Sequence, residues 1–295
     1  VAQVAARPVN LALSGPASAV GALNLVAEQT GHDDLISMEI GGTSCDVVMM
    51  HKGDVALADD LMIAGYHVGT PAIDVHTVGA GGGTIAHVDA GGMLQLGPQG
   101  AGAVPGPACY GLGGEHPTVT DALLVLGRLR EGTYAGGAVT LDGAAARKAL
   151  ETHVATPLGL SVADAAAGII SILEQNLLHA VERISIERGY DPSACFLVAA
   201  GGAGPMHGSA VARQLGCRTV YIPRQAGAFC ALGMLNADVR RDVSRVLIAN
   251  IDTVEAQSVE TGYGDLEREA TGVLASEGFT DDRATTERAM DLRYR

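Results

Sequence analysis

The chain has 295 residues, 47% of them hydrophobic, and a formal net charge of −14. That length and hydrophobic share support a substantial core, as one large or two smaller domains, and exclude a disordered linker. The acidic balance argues against a nucleic-acid partner, because phosphate backbones are held by stripes of Lys and Arg and none appear.

Forty glycines are about twice the ordinary share, without a collagen period. With no Trp, three Phe and seven Tyr, the core must be built from Val, Leu, Ile and Ala. Cys45, Cys109, Cys195, Cys217 and Cys230 are scattered and form no CxxC, a pattern of free thiols in a reducing compartment. No charged start followed by an apolar run, and no membrane-length apolar stretch, is found. A soluble cytoplasmic protein with no membrane partner is the expectation. The chain starts on Val1 and stops on Asp291-Leu292-Arg293-Tyr294-Arg295, which reads as mid-strand, so both ends are expected to be cut.

In chain order, residues 16–31 predict a helix, with Ser14 as cap, Pro16 in the first turn and Gly31 as its end. Strands follow at 35–40, 44–50 and 55–58, the last two joined by a turn at Lys52-Gly53-Asp54. Residues 75–104 are glycine-dense, with a hairpin expected around Ala90-Gly91-Gly92. Helices are expected at 120–129 and 142–154, the second capped by Asp142. The longest runs over 161–188, with Ser161 and Asp164 spaced like a capping box. Its apolar positions Ile169, Ile172, Leu173, Leu177, Val181 and Ile184 recur at three- and four-residue steps, a buried stripe. Strand 195–199, helix 206–215, strand 219–222 and helix 226–236 continue as an α/β alternation. A strand at 244–250, a polar helix at 254–277 and a closing strand at 283–294 complete the reading. The domain organisation expected is one unit over 1–295. Within it, 1–118 is a strand meander with glycine loops, 119–240 the helices and α/β part, and 241–295 the start of a C-terminal region.

Two glycine-rich loops carry the functional signal. Glu39-Ile40-Gly41-Gly42-Thr43 turns between two strands, and Gly201-Gly202-Ala203-Gly204-Pro205 joins an apolar strand to a helix start. Glycine lets backbone N–H groups approach a phosphate with no Cβ in the way. The second loop also presents the unpaired N–H groups of a helix start, which favour anions. A nucleotide held between two loops of one α/β domain is the implied ligand. There is no GxGxxG opening a βαβ unit and no Walker sequence, so the device is of another kind. Glu39 is a candidate to hold Mg²⁺ through water, since a triphosphate needs a divalent partner. Asp46, the next acid, equally fits a turn cap.

The segment around His76 has two readings. Asp74, His76, Cys109, His116 and Asp121 are ligand types that suit zinc, but their spacing matches no compact zinc motif. The alternative is substrate chemistry, with Asp74 or Asp121 as acid/base, His76 as polariser and the amides of 79–83 as an anion nest. Glu182, Arg183, Glu187 and Arg188 read as surface ion pairs, with a basic group toward the cleft as the other option. His207 reads as a cap at a helix start.

Six motifs in order resemble the hydantoinase A/5-oxoprolinase family. They are Ile-Gly-Gly-Thr-Ser-Cys-Asp-Val (40–47), Asp-Val-His-Thr-Val-Gly-Ala-Gly-Gly-Gly-Thr-Ile-Ala (74–86) and Gly-Pro-Ala-Cys-Tyr-Gly (106–111). Pro-Thr-Val-Thr-Asp-Ala (117–122), Glu-Arg-Gly-Tyr-Asp-Pro (187–192) and Gly-Gly-Ala-Gly-Pro-Met-His (201–207) complete the set. The resemblance implies the actin-like, sugar-kinase-like ATPase fold, with two RNase-H-like lobes and ATP in the cleft. Gly41, Gly42 and Thr43 would then belong to the second phosphate loop, and Gly201, Gly202 and Gly204 to the adenosine loop.

The implied activity is ATP-dependent hydrolysis of a cyclic amide (a hydantoin, 5-oxoproline or a lactam) by phosphorylation of its amide oxygen. A hydantoinase B-type subunit or domain would be the partner, in a hetero-oligomer. The alternatives are an ATP-dependent ketone carboxylase subunit and a non-catalytic nucleotide-binding domain. The chain departs from the family in carrying Glu39 where Asp is usual. The family's N-terminal lobe, with a first phosphate loop, would precede residue 1.

Overall fold

The apolar runs of the sequence meet in a six-stranded mixed sheet. Its strands are β1 (Leu35–Ile40), β2 (Cys45–His51), β3 (Asp54–Val55), β4 (Val75–Val78), β5 (Phe196–Ala200) and β6 (Thr219–Tyr221). The order is β6-β5-β1-β2-β3, with β4 paired to the same edge of β2 as β3. β1 lies parallel to β5 and antiparallel to β2, in registers that align Ala200, Glu39, Asp46 and Thr77 across one row. The structure is a computed structural model and describes residues 8–11, 13–58, 61–63, 65–68, 72–279 and 284–292.

Because alternate side chains on a strand point to opposite faces, each strand feeds two cores. On one face Leu35, Val48, Met50 and Val198 pack against Ala22, Leu23 and Val26 of helix α1 (Ala19–Thr30), together with Phe229. On the other, Ile36, Met38, Val47 and Leu197 meet two of the later helices. The longer helices that follow α1 up to Asn236 are, in chain order, α2 (Val119–Val125), α3 (Gly143–Leu150), α4 (Val162–Ile184), α5 (Gly204–Leu215) and α6 (Phe229–Asn236), of which α4 and α5 cover this second face and α6 the first. The stripe Ile169, Leu173, Leu177, Val181 and Ile184 of α4 is buried, each such side chain contributing about 1.5–3 kcal/mol. The result is a three-layer α/β/α arrangement.

Element ends follow local chemistry. Gly31 closes α1 at φ 68°, where other residues are strained. The helix expected from residue 16 is divided, a short turn Ser14–Ala17 preceding α1. Asp142 caps α3, accepting from the N–H groups of Ala144 and Ala145. α3 continues as a π-turn through Glu151–Ala155. Ser161 caps α4, but Asp164 accepts from the Ser161 hydroxyl rather than from its backbone N–H. α4 stops at Ile184 and a separate 3-10 turn, Ile186–Arg188, follows, because Ser185 turns its hydroxyl back onto the Val181 carbonyl. The glycine-dense stretch contains the hairpin Thr84–Val88 with Leu94–Gly100, its turn held by Asp89 accepting from Gly91 and Met93.

The chain divides into two compact units, Val1–Ala237 and Asp238–Arg295. β1 and β5, far apart in sequence, are neighbours in the sheet of the first unit. The second unit is built on α7 (Ala256–Ser276), against which Arg288 bridges Glu260 and Glu267 and covers the Tyr263 ring. The strand expected at 244–250 does not form, and Val246 and Ile248 are exposed. Residues 284–292 also form no strand, and the rest of the closing strand expected at 283–294 lies outside the described residues. Among the described residues this unit contains no strand to pair with either segment. No single helix among the described residues is long and apolar enough to cross a membrane.

Candidate functional site

The hairpin tip between β1 and β2 is closed by the Gly41 N–H donating to the Ser44 carbonyl at 2.9 Å, leaving Gly41, Gly42 and Thr43 exposed. The loop 79–83, leaving β4, lies directly against it. Gly82 and Gly83 donate to the carbonyls of Gly41 and Gly42 at 3.0 and 2.7 Å. A Cβ on Gly81 would stand 2.6 Å from the backbone of Gly42 and Thr43, which only glycine avoids. The first turn of α2 fixes this layer in turn, Thr120 donating to the Gly82 carbonyl through its N–H and its hydroxyl.

The second loop occupies the same edge of the sheet, because β1 and β5 are parallel and end side by side. Gly201, at φ 78°, abuts the Ile40 carbonyl so closely that any Cβ would collide with it, and the Ala203 N–H donates to that carbonyl at 3.1 Å. Gly204 then starts α5. Crevices outside the carboxyl ends of parallel strands are where open α/β sheets bind ligands. At Gly42 and Gly202 an added Cβ would meet nothing within 4 Å, so both backbones border open space.

Beneath the loops, Glu39 and Asp46 stand side by side in the cross-strand row. Burial, with a smaller contribution from the neighbouring Asp46 charge, raises the Glu39 carboxyl above its ordinary value, against the lowering effect of its hydrogen bond to Cys230. Cys230 of α6 donates its thiol to Glu39 Oε2 at 2.8 Å, and burial followed by that carboxylate pushes the thiol up to about 12. Thr77 donates to Asp46 Oδ1 at 2.6 Å.

Among the described residues no hydrogen bond or ion pair joins Asp74, His76 and Asp121 to one another. Asp121 is fully buried in the first turn of α2 and closes a capping box with Thr118. It accepts from the N–H groups of Ala108, Cys109 and Thr118 and from the Thr118 hydroxyl. With four donors and no exposed atom it anchors the 106–110 loop. Asp74 is ion-paired with Arg188, so that arginine is not part of the expected surface pairing. His76 belongs to the sheet face under α4, because it pairs with Val47, whereas Glu39 and Asp46 belong to the other face. Among the described residues no three of His, Cys, Asp and Glu converge as a metal site, and His116 stacks against His153.

A model of the hydantoinase/oxoprolinase family matches residues 1–243. The chain belongs to this family. The caprolactamase subunit alpha of Pseudomonas jessenii is 42% identical over 291 residues, 98% of this chain and 42% of that subunit. The crystal structure of the ATP-dependent caprolactamase from the same organism superposes with a TM-score of 0.77 at 40% identity, covering 90% of this chain and 39% of that one. A nucleotide-free acetone carboxylase structure gives a TM-score of 0.78 at 30% identity, covering 91% and 39%. The fold is therefore the mixed α/β one of these ATP-dependent enzymes, in keeping with the actin-like ATPase expectation. The chain spans about two fifths of the length of some curated relatives, the caprolactamase subunit among them, and under a quarter of others such as the 5-oxoprolinases.

In this hydantoinase/oxoprolinase chain, sequence reasoning paired the two glycine loops but missed two partners from distant elements. Cys230 lies 191 residues from Glu39, and no local pattern announces the contact. His207 is fully buried and faces Glu174 of α4 at 3.4 Å instead of capping α5. Burial pushes the Glu174 carboxyl up, but hydrogen bonds from His207 and Arg128 outweigh it and hold the group below its ordinary value.

Proposed function

We propose that this chain is the nucleotide-binding part of an enzyme that opens a cyclic amide at the expense of ATP. The observation that carries the reading is the apposition of two glycine loops at the carboxyl ends of the parallel strands β1 and β5, with open space at Gly42 and Gly202. The family membership and the caprolactamase relative supply the chemical class.

The residues fit the group. The N–H groups of Gly42 and Thr43 and the Thr43 hydroxyl hold phosphate oxygens, Gly41 shaping the turn that presents them, and Gly201, Gly202 and Gly204 let the rest of the nucleotide lie against backbone at the start of α5. Glu39 and Asp46 offer carboxylate oxygens suited to Mg²⁺, which takes one or two carboxylates and completes its shell with water and phosphate. When bound, ATP supplies the phosphoryl group that makes the amide oxygen a leaving group and its carbon open to attack. The protein's share is to fix the phosphates and to balance their charge, the usual burden in phosphoryl transfer. A hydantoinase B-type partner, in a hetero-oligomer of the cytoplasm, completes the hydrolysis. The three acid/base candidates are not kept as a unit.

The test is to measure ADP and phosphate release by the intact protein with its partner, over a panel of caprolactam, 5-oxoproline, a hydantoin and acetone. Release that depends on a cyclic amide, and is lost in Gly42→Val, supports the proposal. Dependence on acetone and bicarbonate moves the chain to the carboxylase reading, which the acetone carboxylase likeness favours. Nucleotide binding without turnover on any substrate makes it a binding module.

A further inference from the structure

Between β4 and α4 lies an open pocket of about 260 Å³, on the sheet face opposite Glu39 and Asp46. His76 enters it from β4. Asn176, His179, Arg183 and Glu187 enter from α4 and the turn after it, at steps of three, four and four residues. Side chains at those steps stand in one line along a helix, so the long helix presents a polar row here, next to its apolar stripe.

The charges in this row are unspent. Arg183 and Glu187 form no ion pair with each other or with another described residue, while the adjacent Arg188 is already paired with Asp74. Burial and the nearby Arg183 charge lower His76, against a smaller opposite pull from Glu187, which favours the neutral imidazole. The permanent charges lining it are one cation, Arg183 near the end of α4, and one anion, Glu187 on the 3-10 turn that follows. Around them stand an amide and two imidazoles, able to donate or accept.

We propose that this pocket binds a small amino carboxylic acid, its carboxylate on Arg183 and Asn176 and its ammonium on Glu187. A ligand carrying a single charge engages only one of the exposed Arg183 and Glu187, whereas a zwitterion engages both. Opening of a cyclic amide by water places a carboxylate and an amine on one molecule, so the product of the proposed reaction falls in this class. That link rests on the proposed function, but the binding claim rests on the pocket alone.

The test is calorimetric titration of the intact protein with 6-aminohexanoate and with glutamate, using hexanoate and hexylamine as one-ended controls. Arg183→Gln and Glu187→Gln are exposed changes whose folding is checked by their urea midpoints. Saturable binding of either amino acid is expected, tenfold or more tighter than the controls and weakened at least tenfold by each variant. The ¹⁵N signals of the His76 imidazole should move on saturation. No binding, binding indifferent to both variants, or hexanoate binding as tightly as the amino acids would overturn the inference. Titrating the same samples with Mg–ATP separates the two claims. Amino-acid binding without ATP binding removes the nucleotide reading alone, and ATP binding without amino-acid binding removes this inference alone.

Discussion

Gly83 donates its backbone N–H to the carbonyl of Gly42 at 2.7 Å, joining the glycine-dense loop after β4 to the tip of the β1–β2 hairpin. The two loops are therefore one layer, in which some glycines make room for protein backbone and others border open space. Substitution should separate these classes.

Gly81→Val forces a side chain into the backbone of Gly42 and Thr43, and is expected to cost about 1–3 kcal/mol, as overpacking does. Gly42→Val meets nothing within 4 Å and should leave the urea midpoint unchanged while lowering Mg–ATP affinity tenfold or more. Urea denaturation and calorimetry on the two variants check this. Equal loss of stability in both would mean that the hairpin tip is not open.

Glu39→Gln tests the cost of the buried carboxylate. Its folded value is raised, so the folded state holds the proton more tightly than the unfolded one, and ionisation destabilises the fold as pH rises through the raised value. The variant should thus be more stable than the parent at pH 7 to 8, with the gain shrinking as pH falls from the raised value toward the ordinary 4.5 and gone below it. Mg²⁺-dependent nucleotide binding should fall in the same variant. A gain independent of pH would show that the carboxylate charge is not the cause.

Asp121→Ala removes the acceptor of four buried donors and should destabilise by about 3 kcal/mol or more, since each orphaned donor carries a desolvation cost of ~1–3 kcal/mol. Asp121→Asn, which keeps one acceptor oxygen, should lose less. Chemical denaturation gives the values. A fully stable Asp121→Ala with abolished turnover would favour the acid/base role for this residue.

The Arg128–Glu174–His207 set predicts an acid-sensitive contact. The depressed value of Glu174 means that its contribution is present above the unfolded value near 4.5 and is lost as pH falls through the lower folded value. Glu174→Gln should therefore narrow the stability difference between pH 7 and pH 3. A pH series of urea midpoints decides it, and parallel curves for parent and variant would count against the assignment.

Much of the fold was legible because its signals are local. Gly31, Asp142 and Ser161 mark helix ends through groups that act within a few residues, and the α4 stripe repeats with the helical period. The strand expected at 244–250 shows the limit. Its apolar residues suit a strand, but a strand needs a neighbour to receive its backbone hydrogen bonds, and among the described residues this unit supplies none.

The candidate site divides in the same way. The sequence by itself determined the two glycine loops, their flanking strands and the family motifs, because each is written in consecutive residues. Only the tertiary structure decided which polar residues meet. The parallel pairing of β1 with β5 put the loops on one edge, and the strand register sent Glu39 and Asp46 to one face and His76 to the other. Chain crossings joined Cys230 to Glu39 and enclosed Asp121. Those outcomes depend on register and on contacts across as many as 191 residues, which no local pattern encodes.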